Sequence, residues 1–148
     1  MLQRIIATDD NVLSFIARVV VGAVIFAHGA QKLFGWFGGH GWGGTMEFFT
    51  RWGFPAILVA ALILTESIGM LLLILGFLGR VWAALLAVTM VVAVIKARHI
   101  THFFMNWYME PRRPEGFEYH VLVMGFVAIV LVAGSGRWSI DRMLTTRR

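Results

Sequence analysis

A chain of 148 residues that is 59% hydrophobic, only 14% charged and of mean hydropathy +0.77 has no polar stretch long enough for a separate soluble domain, and reads as a small integral membrane protein. It holds no cysteine, which excludes dithiol chemistry, haem attachment through Cys-x-x-Cys-His and thiolate-held iron–sulfur clusters, so any redox role needs a bound cofactor or a partner. The net charge of +5 is split between two membrane faces, which suits anionic lipid head groups and argues against nucleic acid as a partner.

The first residues, MLQRIIATDDNVLSF, place one Arg and two Asp ahead of an apolar stretch. That is a poor match to a cleavable secretory signal, and the first span is expected to remain as a signal anchor. Four apolar segments follow, at about 12–32, 55–77, 81–97 and 119–133. Backbone amides find no water inside a bilayer, so each is expected to be a helix, and the chain is predicted to be an all-α membrane protein, one four-helix transmembrane bundle over 1–148. The third and fourth segments lie near the lower limit of about 17 residues for a crossing. Only Leu78, Gly79 and Arg80 separate the second segment from the third, so Gly76 and Gly79 predict a tight hairpin between antiparallel neighbours. The other connections, 33–54 and 98–118, are longer and emerge together on what is here termed the loop face; the termini and the hairpin share the opposite face. Ala23 with Ala27, Ala83 with Ala87, and Gly22, Gly29, Gly69 and Gly125 are candidates for close helix approach.

Glu66 stands in the middle of the otherwise nearly uncharged second segment, PAILVAALILTESIGMLLLILGF. An acid at the bilayer centre costs about 2.5–3.5 kcal/mol on insertion scales, so it is expected to face the bundle interior and to mark a site. If the first two spans are antiparallel, Glu66 lies within about 6 Å of the level of Arg18, a gap that an arginine stem covers. Such a pair would either fix helix register as a buried ion pair or leave Glu66 able to exchange a proton with a ligand. His28 and Lys32 are one turn apart and project an imidazole and a cation from the same helix face. Glu66, His28 and Arg18 are thus the candidate catalytic residues.

All five histidines and most aromatic residues fall toward the loop face. They predict a ring-lined mouth there, with Lys32, Phe34, Trp36, Trp52 and His120 as candidate ligand contacts; an interfacial belt of Trp and Tyr, which needs no ligand, explains the aromatics as well. His99-x-x-His102, with His120, Glu110 and Glu118 nearby, has spacing compatible with a metal, but nothing shows ligands converging, and none is assigned; axial haem ligation by His28 or His120 is weaker still. GWFGGHGWGG, at 35–44, lacks the preceding strand and terminal Lys-Ser/Thr of a phosphate loop, leaving a cover over the mouth or a plain connection.

Arg18, FAHGAQKLFGWFGGHG at 26–41, TESIGMLLLILGFLGR at 65–80 and GSGRWSID at 134–141 together resemble the DoxX family of small four-helix bacterial membrane proteins. The resemblance implies association with thiosulfate:quinone-type oxidoreductases, with oxidative or thiol stress and with detoxification of reactive aromatics, and it marks Arg18, His28, Lys32, Glu66 and Asp141. Asp141 could equally belong to an N-cap of a short terminal helix. The expected function is a membrane redox subunit in the bacterial inner membrane that binds a quinone or similar apolar ring and relays a proton. A noncatalytic scaffold for a soluble redox enzyme is the alternative, and a small transporter a third. Basic residues tie, six on each face, and the paired arginines at the C-terminus favour cytoplasmic termini. A homodimer that completes the pocket is plausible on size alone.

Overall fold

The computed structural model describes residues 2–96 and 101–146. Among them are seven helices and no strand: α1 (Leu2–Ile6), α2 (Val12–Phe34), α3 (Gly41–Arg51), α4 (Ala56–Leu75), α5 (Gly79–Lys96), α6 (Glu118–Ala133) and α7 (Ile140–Thr146). Helices α2, α4 and α5 are long and apolar enough to cross a membrane, and α6 is a shorter apolar helix of 16 residues. At 1.5 Å per residue α6 is about 24 Å long, short of a hydrocarbon core of about 30 Å.

Local sequence explains the boundaries. The Asn11 side chain accepts hydrogen bonds from the amides of Leu13 and Ser14 and starts α2, and Gly35, at φ 77°, ends it in the left-handed region that glycine adopts freely. Pro55 is the N-cap of α4, one residue before its first turn. Gly76, at φ 67°, closes α4, and the chain re-enters a helix at Gly79, so the tight hairpin is realised.

Helix α2 packs against α4 and α6, and α5 closes the ring by packing against α6 and α4. The core is apolar and shared by all four: Ala17, Val21 and Ile25 of α2, Met70 and Leu73 of α4, Ala83, Leu86 and Met90 of α5, and Val123, Val127 and Val130 of α6. Glycines set the closest approaches. Gly22 faces Ile74 and Met70, Gly69 faces the ring of Trp82, and Gly29 lies directly on the backbone of Glu66 and Ser67. Ala23 and Gly125 are exposed and take no part, because they point away from the seam.

The termini face is held by a polar clasp. Asp141 lies in the first turn of α7 but does not cap it; Ser139 does, its hydroxyl accepting the amide of Arg142 at 3.2 Å. The Asp141 carboxylate reaches across to the start of α5 and accepts the amides of Leu78 at 2.8 Å and Gly79 at 3.0 Å and the hydroxyl of Ser135 at 2.6 Å. It therefore answers orphan amides of a distant helix, where a negative charge also complements the helix dipole. Arg80 performs the converse task at the end of α6, donating to the carbonyls of Leu131 at 2.9 Å and Val132 at 3.0 Å, and also to that of Ala7. Arg18, buried at 1% exposure, donates to the carbonyls of Ser135 at 2.8 Å, Trp138 at 2.8 Å, Arg137 at 3.1 Å and Leu73 at 3.4 Å. Outside the spans, Asp10 accepts a bidentate pair from Arg137 at 2.6 and 3.1 Å, and its Oδ1 lies 2.8 Å from Arg142.

Asp141→Ala removes the acceptor of two backbone amides and one hydroxyl and is expected to cost about 1.5–3 kcal/mol, read as a lowered midpoint of detergent unfolding. The hydrogen bond from Arg137 holds the Asp10 carboxyl below its ordinary value of 3.8. A carboxyl depressed on folding adds stability above its unfolded value, and that contribution is lost as pH falls through the folded one. The thermal midpoint of the wild type is thus expected to exceed that of Asp10→Asn at pH 6 and the two to converge in strong acid; a gap that stays constant into acid contradicts the assignment.

Candidate functional site

The second crossing is interrupted where the acid sits: Thr65–Gly69 forms a π turn inside α4. The Ser67 hydroxyl donates to the carbonyl of Ile63 at 2.6 Å, competing with the regular helix ladder, and Gly29 of α2 gives the widened backbone room to lie against it. A π turn adds a residue to one helical turn and re-aims the side chains after it, and such turns are frequent at functional sites. Its acid, Glu66, is 5% exposed.

Its partner is not Arg18. The expected Arg18–Glu66 pair is corrected: the guanidinium turns toward the termini face and is fully engaged by four carbonyls, while the Glu66 carboxylate lies 2.5 Å from Nζ of Lys32. Arg18 and Lys32 are separated along α2 by about 21 Å at 1.5 Å per residue, so the two families of polar contacts occupy opposite ends of one helix.

The Lys32–Glu66 pair is unevenly covered, with side-chain exposures of 23% for Lys32 and 6% for Glu66. Lys32 forms part of the wall of a cleft of about 270 Å³ bounded by Gln31, Gly38, Gly39, His40, Thr45, Phe48 and Phe49. The glycine-rich segment shapes this cleft. Gly39 lies against the backbone of Gln31, and the Thr45 hydroxyl donates to the carbonyl of Lys32 at 3.3 Å, docking α3 over the end of α2. The segment is thus a built cover of one helical turn, Trp36–Gly38, and the start of α3.

The other predicted residues are dispersed. Phe34 and Trp36 are not in the cleft wall; they are exposed and stack on each other with centroids 4.9 Å apart. Trp52 stacks on Phe48 at 4.9 Å and borders a separate depression with Glu47 and Arg51. These three rings have the placement of an interfacial belt, so the pocket contacts expected of them fall instead to Phe48 and Phe49. His120 is buried and borders an almost wholly apolar groove of about 350 Å³ between α5 and α6, with Met90, Val94, Phe117 and Met124, away from the ion pair. His28 is exposed and is absent from the cleft wall.

His28 instead meets a residue that sequence reasoning passed over as a site. Its ring lies 6.0 Å from that of Tyr119 on α6, and both rings are within electrostatic reach of Glu66. The Tyr119 hydroxyl is buried and has no hydrogen-bond partner among the described residues. A buried hydroxyl left unpaired costs about 1–3 kcal/mol, which sets this position apart from the rest of the core. Nothing in the sequence distinguishes Tyr119 from adjacent His120; the rotation of α6 alone turns one toward α2 and the other toward α5.

Of the metal-compatible set, His99 lies outside the described residues. Glu118 accepts from the amide of Met105 at 3.2 Å and the indole of Trp107 at 3.1 Å, and Glu110 pairs with Arg113 at 3.0 Å. Among the described residues no three His, Asp or Glu side chains are grouped to hold a metal.

A four-helix bundle of membrane-spanning type with a lysine–glutamate pair joining its first two crossings defines a small integral membrane protein. The DoxX family matches residues 13–107, and the chain belongs to that family. Over 93 residues it is 29% identical to the Bacillus subtilis (strain 168) protein named "Putative oxidoreductase CatD", covering 63% of this chain and 65% of that one, so the likeness spans just under two thirds of the relative. No solved structure matches. The family match contains Arg18, His28, Lys32 and Glu66 and ends before Tyr119 and Asp141.

Removing one member of a buried ion pair leaves the other uncompensated, at about 3–5 kcal/mol, whereas replacing both with apolar groups is close to neutral. Lys32→Met is therefore expected to lower stability sharply and Lys32→Met with Glu66→Leu to recover most of the loss. Strictly additive losses in a double-mutant cycle of unfolding midpoints count against the pair.

Proposed function

We propose that this DoxX protein is a membrane component of an oxidoreductase system, binding a quinone or similar apolar ring compound beside the Lys32–Glu66 pair and handling a proton there. The observation that carries the reading is an ion pair whose acid is buried in a π turn and whose lysine, partly exposed, lines a cleft. Fully structural buried charges are closed off on every side; this one is not. The name borne by the Bacillus relative agrees with a redox role.

The residues fit such a group. Lys32 offers a cationic donor, Gln31 an amide, Thr45 a hydroxyl, and Phe48 and Phe49 offer ring faces. Ligand pockets commonly run from about 300 to 1,000 Å³, so a cleft of about 270 Å³, just below that range, admits a small head group and no long tail. A quinone, when bound, accepts two electrons and two protons. The chain's own part is to hold an oxygen by the Lys32 ammonium, to keep that ammonium placed through Glu66, and to exchange a proton at the carboxylate or at the exposed imidazole of His28. We place the protein in a bacterial inner membrane with cytoplasmic termini.

Saturable quenching of tryptophan fluorescence by a short-chain benzoquinone in lipid nanodiscs tests this. Binding by the wild type, weakened at least tenfold in Glu66→Gln, is expected; a wild type with no saturable binding defeats the reading. A second reading, a membrane anchor for a soluble redox enzyme, draws on Trp107, Tyr108 and Met109, which stand exposed on the second long loop. Stoichiometric co-purification of a soluble enzyme that survives Glu66→Gln favours it.

A further inference from the structure

The Lys32–Glu66 pair is approached from two directions, and their surroundings differ in kind. Above it is the cleft beneath α3, whose polar wall members are Gln31, Lys32, His40 and Thr45. To the side are His28 and Tyr119, between α2 and α6. His28 is exposed yet forms no part of the cleft wall. It stands six residues before the end of α2, about 9 Å along the axis from the loop end. An exposed side chain at that depth in a crossing helix faces acyl chains, since the next residues of α2, Gly29 and Ala30, are buried in the bundle. Helix α6 is the shortest crossing, and Tyr119 is its second residue, so the wall beside His28 begins low.

Resting on the functional reading above, we propose that the ring ligand reaches the Lys32–Glu66 pair sideways from the bilayer, between α2 and α6, with one oxygen at Lys32, the other held by the Tyr119 hydroxyl and His28, and the tail left in lipid, while protons reach the pair from the polar side of the cleft beneath α3. Three features support this division of labour. The Tyr119 hydroxyl is buried without a partner among the described residues, and its ring lies 6.0 Å from the His28 imidazole, which offers a ligand oxygen a hydroxyl donor beside an imidazole. An apolar ring with a tail is concentrated in lipid and has no room for the tail in the cleft. A proton needs water or a chain of polar groups, and the cleft supplies the polar wall. The carboxylate of Glu66, behind Lys32, is the group both routes share.

The lack of native cysteine allows single-cysteine spin labels on both routes. A label at His28→Cys is expected to relax with oxygen, which concentrates in the bilayer, and one at His40→Cys with a water-soluble nickel chelate. Equal response to the chelate at the two sites overturns the sideways entry. In nanodiscs, Tyr119→Phe is expected to weaken binding of a decyl-chain benzoquinone about tenfold, with an unfolding midpoint no lower than that of the wild type showing that the bundle is intact. Wild-type affinity in Tyr119→Phe overturns the inference and leaves the functional reading standing, whereas no binding by the wild type removes both.

Discussion

The arrangement of the loop half depends on one contact: the backbone of α2 at Gly29 resting on the backbone of α4 at Glu66 and Ser67. No side chain larger than hydrogen fits between them. The contact brings a lysine stem rooted one turn later on α2 to the carboxylate that the π turn presents, and the 2.5 Å ion pair follows from that proximity. Two charges that would each be costly in hydrocarbon are then tolerated together, because each is the other's counter-ion. A regular α-helical turn at Thr65–Gly69 would rotate everything beyond it and part the acid from its cation.

The two ends of α2 treat their cations differently. At the termini end, Arg18 is fully buried and its guanidinium is surrounded by neutral carbonyls from the last turn of α4 and the segment after α6. Arginine keeps its charge under essentially all conditions and its fork matches several acceptors at once, so that end is a fixed joint. At the loop end, Lys32 meets a single carboxylate and remains partly open. Lysine carries a compact ammonium on a flexible stem, so this end is a less fixed joint than the arginine end.

Much of the bundle was legible because bilayer thickness imposes length: four apolar runs separated by polar loops leave few alternatives to four crossings. The inward turn of Glu66 was legible for a similar reason, since a carboxyl in such a run needs a polar companion, whether that companion only fixes register or serves a site. The companion itself was not. The reach of an arginine stem allowed Arg18, but the carbonyls that claim Arg18 come from Ser135, Arg137 and Trp138, more than a hundred residues away in the chain. The task of Asp141, a residue the resemblance marked, was hidden for the same reason, since it serves amides at the start of α5 from a different helix. Which of Tyr119 and His120 faces the ion pair depends on the rotation of α6, and a nearly uniform apolar helix carries no stripe from which to read it. The aromatic rings misled because an interfacial belt and a pocket wall draw on the same residue types.

Rigidity at one end lets the other be less completely packed. The clasp of Arg18, Arg80 and Asp141 ties α4, α5 and α6 to the terminal segments through charged hydrogen bonds to backbone groups. These bonds satisfy helix ends that lipid could not, and they fix helix order and register without help from the loop half. The loop half can then carry what a stable bundle would otherwise avoid: a phenol hydroxyl without a partner among the described residues, an exposed histidine, a π turn and a crossing helix too short to fill the bilayer. Each of these is a departure from close packing, and all of them gather around Glu66. Gathered in the loop half, they leave it less completely packed while the opposite end keeps the helices in place.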